Sequence, residues 1–139
     1  MTTTDSQSSA ASDQQILSIA PYFLVRDVVK AAEYYRDALG FGYTQFWGEP
    51  ACFCMPQRDG LIIMLSQAAD PSIVRPNSKV RAETWDAYIW VKDADALYAE
   101  VKARGAIIAY DPHLQDYGNR EFGVLDLDGY VLAFGSDAS

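Results

Sequence analysis

VRDVVKAAEYYRDALG, residues 25–40, holds the end of a strand, a cap, a helix and a stop in sixteen residues. Asp27 has the short acceptor side chain that a helix N-cap needs. Val28, Ala31, Ala32, Tyr35 and Leu39 fall on one helical stripe. Gly40 follows as a C-cap. The same phrase returns 66 residues on: VKDADALYAEVKARG, residues 91–105, where Val91-Lys92-Asp93 matches Val25-Arg26-Asp27 and Gly105 is the stop.

The flanks repeat as well. Before the first helix, IAPYFLV (19–25) reads as a strand, with Pro21 pointing to an edge or a bulge. After it come strands near 43–47, 51–55 and 61–66, the last two joined by the hairpin signal Asp59-Gly60. The second set is a strand at 86–91, then strands near 106–110, 120–126 and 130–134, with Asp128-Gly129 as the last turn. The turn pairs are 69 residues apart, so the repeat grows by only three residues across its loops. A period near 67 is too long for a solenoid and implies a duplicated supersecondary unit. The expected fold class is α+β, built from two βαβββ modules at 16–67 and 85–136 with a linker at 68–84. MTTTDSQSSAASDQQ, residues 1–15, has almost nothing to bury and reads as a disordered tail.

Of the 139 residues half are hydrophobic, enough for one domain with a real core. No apolar run nears the roughly 20 residues that span a membrane. A secretory signal is not apparent, so a cytoplasmic location is expected. Eleven Lys and Arg against nineteen Asp and Glu argue against nucleic-acid binding. A net charge of −8 favours cationic ligands over anionic ones. Cys52 and Cys54 alternate on a strand, point to opposite faces and form neither a disulfide nor a redox pair.

Alternation places Asp86, Tyr88 and Trp90 on one strand face. Other aromatics, among them Trp47, Phe53, Tyr117 and Phe122, are candidates for core or ligand contact. His113, the only histidine, sits in DPHLQDYGN, read as a loop; it is a solvated loop residue, a base, a pH switch or a metal ligand. Arg120 is read as pairing with an acid such as Asp86 or Asp116, or with an anionic ligand group. No nucleophile signature or phosphate loop occurs.

VRDVVKAAEYYRDALGF, VKDADALYAEVKARG and YGNREFGVLDLDGYVLAFG together resemble the vicinal-oxygen-chelate superfamily of glyoxalases, bleomycin-resistance proteins and dioxygenases. The match is nearest to its metal-free, bleomycin-resistance-like branch. The resemblance implies half-open sheets around a cavity, and a homodimer in which both chains build each cavity. It also implies four metal-ligand positions, which here hold Ala20, Met64, Asp86 and Ala133. One carboxylate beside two methyls and a thioether is no cage for a divalent ion, so no metal or other cofactor is expected. The ligand set expected from this reading is Asp86, Tyr88, Trp90, Trp47, Phe53, Met64, His113, Tyr117, Arg120 and Phe122. The function expected is small-molecule binding, the sequestration of an aromatic or cationic compound, with no nucleic-acid or membrane partner. The alternatives are a lyase, isomerase or dioxygenase with a non-standard site, and an interaction module with a vestigial cavity.

Overall fold

The structure is a computed structural model that describes residues 13–138. Most of the expected tail, residues 1–12, lies outside the described residues. Chain order is β1 (Tyr22–Val25), α1 (Val28–Leu39), β2 (Phe46–Trp47), β3 (Phe53–Cys54), β4 (Gln57–Arg58), β5 (Leu61–Ile62) and β6 (Met64–Gln67). A 3₁₀ turn (Pro71–Ile73) and α2 (Asn77–Val80) lie in the linker, followed by β7 (Ala87–Trp90), α3 (Ala94–Ala103), β8 (Ile107–Leu114), β9 (Asn119–Leu125) and β10 (Val131–Asp137). The fold is α+β, as the sequence indicates.

Two four-stranded sheets share one topology: β1-β6-β3-β2 and β7-β10-β9-β8. In each, the first strand runs parallel to the last, and the remaining neighbours are antiparallel. The duplication reaches the caps. Asp27 accepts from the Lys30 amide and Asp93 from the Ala96 amide, each at 3.1 Å. The first amide of each helix bonds a side chain at the end of its sheet's central strand: Val28 to Gln67 Oε1 and Ala94 to Ser136 Oγ. Gly40 ends α1 at φ +77°, a left-handed conformation glycine adopts without steric cost.

Three segments differ from the sequence reading. β1 begins at Tyr22, where pairing with Met64 begins, and leaves Ile16, Leu17 and Ile19 exposed ahead of it. The strands β2 to β5 are only two residues each. β8 runs on to Leu114, so His113 is a strand residue and not a loop residue. Its backbone registers with Glu121 across two irregularities, and Pro112 is tolerated because β8 is an edge strand.

Both sheets turn one face to the helices. Phe23, Val25, Cys54 and Leu65 of the first sheet, with Phe122, Val124, Leu132 and Phe134 of the second, pack there against Tyr35, Leu39 and Val101. A polar joint ties the halves together. The Tyr35 hydroxyl donates to Asp126 Oδ2 at 2.7 Å, Tyr130 to the Leu24 carbonyl at 2.6 Å, and Tyr34 to the Leu125 carbonyl at 2.6 Å. The Arg58 guanidinium pairs in bidentate fashion with Glu100.

Asp126 is the most deeply committed acid of this joint: it also accepts the Asp128 and Tyr130 amides at 2.9 Å. Burial pushes its carboxyl up to about 6, against the pull of those bonds. A raised folded value means that its contribution is full below the unfolded value of about 4 and is lost as pH rises through about 6. Asp126→Asn keeps the shape and removes the titration. Urea melts from pH 4 to 7 will show wild type losing up to about 3 kcal/mol relative to the variant. Parallel pH curves for the two proteins would rule this out.

Candidate functional site

Alternation along β9 divides its side chains. Phe122 and Val124 enter the core, with Phe122 stacked on Phe134 at 5.2 Å. Arg120 emerges on the same helix-facing side and meets Asp95 of α3 at 3.1 Å. Glu121 and Gly123 therefore lie on the opposite face. There Tyr88 of β7 and Tyr110 of β8 lie over the sheet, above glycines. A Cβ on Gly135 would collide with the Tyr88 hydroxyl, and one on Gly123 with the Tyr110 ring.

Both tyrosines converge on Glu121, which is fully buried. Its carboxylate accepts from the Tyr110 hydroxyl at 2.5 Å, from the Tyr117 hydroxyl and from Gln115 Nε2 at 3.0 Å. The Tyr88 hydroxyl lies near enough to favour the charged carboxylate and itself accepts from Asn119 Nδ2 at 2.9 Å. A carboxylate offers about four lone-pair positions, and three of them are occupied here. Burial pushes the Glu121 carboxyl up, but the surrounding hydroxyl and amide donors outweigh it and hold the group below the usual range. Burial and the adjacent anion drive the Tyr110 and Tyr117 hydroxyls the other way, well above the usual tyrosine range. The network is thus one buried negative charge held by uncharged donors.

Above it opens a cleft of about 610 Å³. Trp85, Tyr110, His113, Gln115, Tyr117 and Glu121 line it, with Glu83 and Thr84 of the linker at its rim. No Lys or Arg lines it among the described residues. Glu83 holds φ +61°, a left-handed conformation uncommon for a residue with a side chain.

The ten sequence candidates separate into four places. Tyr88, Tyr117 and His113 come together at the cleft or its network; the His113 ring lies 5.5 Å from that of Tyr110, tilted by 58°, and its Nδ1 bonds the Asp111 carbonyl. Trp47, Phe53 and Met64 lie with Tyr22 and Leu24 on the outer face of the first sheet, which the described chain leaves open. Trp90 is 74% exposed; its ring lies 4.7 Å from that of Tyr88, and it lines a second groove of about 450 Å³ between α3 and the β4–β5 hairpin. Asp86, Arg120 and Phe122 are engaged elsewhere. Phe122 is core and Arg120 belongs to Asp95, since both share the helix-facing parity of β9. Asp86 spends its oxygens on the Asn77 and Val131 amides, both at 2.8 Å, where the linker crosses the sheet.

The metal-ligand positions implied by the resemblance do not fit a metal. Ala133 is buried, Met64 offers a thioether, Ala20 offers a methyl and Asp86 is committed to backbone donors. Among the described residues, no group of three His, Cys, Asp or Glu side chains converges. Sequence reasoning left Glu121, Gln115 and Asn119 without a site role and weighed Tyr110 only as one of many aromatics for core or ligand contact. The signal for Glu121 was the alternation Glu121-Phe122-Gly123-Val124, which turns an acid and a glycine to the same face.

Paired sheets of repeated topology, each with one face turned from the helices and an acid-centred cleft on the second, define a fold of the vicinal-oxygen-chelate type. The chain belongs to the Glyoxalase/Bleomycin resistance protein/Dioxygenase superfamily, whose family model matches residues 15–134. No curated protein sequence matches it. Among solved structures it is similar to the bleomycin-binding protein from bleomycin-producing Streptomyces verticillus complexed with copper(II)-bleomycin, at 25% identity, TM-score 0.66, covering 88% of this chain and 98% of that one. The bleomycin resistance determinant encoded on transposon Tn5 aligns at 22% identity, TM-score 0.69, with 89% and 100% covered. TioX from Micromonospora sp. ML1 aligns at 20%, TM-score 0.68, with 87% and 98% covered. No described helix is long and apolar enough to cross a membrane.

Proposed function

We propose that this protein is a metal-independent small-molecule binder that sequesters an aromatic, positively charged compound in the cytoplasm, in the manner of an antibiotic-resistance protein. One observation carries the reading: the buried Glu121 anion, balanced by neutral donors alone, lies beneath a cleft walled by aromatic rings and free of Lys and Arg among the described residues. A planar cation gains stacking on Trp85 and the tyrosines together with the field of Glu121. The bleomycin-binding relatives support the class of activity. Glu121, buried, held by three donors and of lowered pKa, is a poor proton acceptor, which favours binding over acid–base catalysis by that residue.

We read the working form as a homodimer. Tyr22, Leu24 and Trp47 on the open face of the first sheet, and Ile16, Leu17 and Ile19 ahead of it, are apolar and exposed. A second copy laid on that face would cover it and wall the cleft. Sedimentation at micromolar concentration will give twice the 15.4 kDa chain mass, and a persistent monomer would refute the pairing.

The experiment for the site is tryptophan fluorescence with the planar cation 9-aminoacridine. Quenching will be saturable, Trp85→Phe will abolish most of it, and Trp90→Phe will leave the affinity within about twofold, since Trp90 lines the other groove. A quench that depends on Trp90 and not on Trp85 would move the ligand out of the cleft.

A further inference from the structure

Resting on that reading, we propose that Tyr110, Tyr117 and Gln115 form an acceptor rim, oriented by Glu121, that selects ligands carrying a primary ammonium or guanidinium over those carrying a quaternary ammonium. The argument is a count of hydrogens. A phenol has one O–H to donate and two lone pairs to offer. Tyr110 and Tyr117 both commit that hydrogen to Glu121. Each therefore presents only lone pairs to whatever enters the cleft they line. Gln115 commits its amide nitrogen to the same carboxylate, which sets the orientation of the amide and leaves its carbonyl oxygen as an acceptor.

Glu121 is a poor direct partner for an incoming cation, because it is buried behind its donors and three of its lone-pair positions are taken. Its charge acts through the phenols: donation to an anion polarises each hydroxyl and strengthens it as an acceptor. An ammonium or guanidinium brings several N–H donors to three such acceptors. A quaternary ammonium brings positive charge but no donor, and it leaves the acceptors dry and unpaired, which is costly. An aromatic cage alone would rank these two ligands nearly alike, since both are cations over ring faces. The predicted preference thus distinguishes an acceptor rim from a plain aromatic cage. The rim Glu83 adds a second negative charge and disfavours anions further.

The test is calorimetric titration at pH 7 with three matched probes: 2-naphthylmethylammonium, its N,N,N-trimethyl derivative and 2-naphthalenemethanol. The primary ammonium should bind about tenfold more tightly than the trimethylated cation, the scale of a hydrogen bond to a charged group. Tyr117→Phe and Tyr110→Phe, which keep the rings, should each reduce that ratio by about threefold or more, with thermal melts confirming that the variants fold. Equal or tighter binding of the trimethylated probe would overturn the acceptor rim and leave the cleft as an aromatic cation site. An undiminished ratio in both variants would overturn it as well. Failure of all three probes to bind would remove the ligand-site reading and this inference with it.

Discussion

Glu121→Gln will weaken binding of 9-aminoacridine by roughly 10–100-fold at pH 7, the scale of a lost charge-assisted interaction, while a neutral planar isostere loses about threefold or less. Two effects act together. The substitution removes the one buried charge of the network. It also places an amide NH₂ where a carboxylate oxygen accepted, so one of the donors Tyr110, Tyr117 and Gln115 must turn away. The same variant changes the acid limb of stability. The Glu121 value is lowered in the folded state, so its contribution is full above the unfolded value of about 4.3 and is lost as pH falls through the folded value. Wild type will lose stability in that acid range faster than Glu121→Gln. Equal loss of cation and neutral ligand, or parallel acid limbs, would show that Glu121 only fills space.

Gly123→Ala is the second large effect. The backbone at Gly123 has no left-handed requirement, so conformation is not the obstacle; the added methyl meets the Tyr110 ring, which lies across the strand. Overpacking of this kind costs roughly 1–3 kcal/mol. Displacing the ring also pulls the Tyr110 hydroxyl from Glu121, so cation affinity will fall by about tenfold. The cause is separable by a double-mutant cycle. In a Tyr110→Ala background the ring atoms nearest the methyl are gone, and Gly123→Ala will be nearly neutral in chemical denaturation. Additive losses would place the strain elsewhere.

Much of the architecture was legible because it rests on local rules that the chain states twice. Asp27 and Asp93 cap helices, Gly40 and Gly105 stop them, and the Asp-Gly turns lead into the last strands. The core face of β9 was also readable from alternation. The site was less legible, for a physical reason. Its geometry depends on long-range register: Tyr88 and Tyr110 reach Glu121 only because β7, β10, β9 and β8 lie side by side and Gly135 and Gly123 leave room. Asp86 looked like the site acid because it shares a face with Tyr88 and Trp90. In the structure its oxygens accept the Asn77 amide of the linker and the Val131 amide, a pairing that strand alternation does not reveal. His113 was read as a loop residue, yet β8 runs on to Leu114, and an edge strand tolerates the missing N–H of Pro112.

The central claim is that a ligand sits over Glu121 and not in the groove beneath Trp90. A crystal structure of the protein with 9-aminoacridine bound tests it most directly. The account predicts the planar ring against Trp85, with its amino group on the hydroxyl oxygens of Tyr110 and Tyr117. A ring found between α3 and the β4–β5 hairpin, beside Arg58 and Glu100, would contradict it.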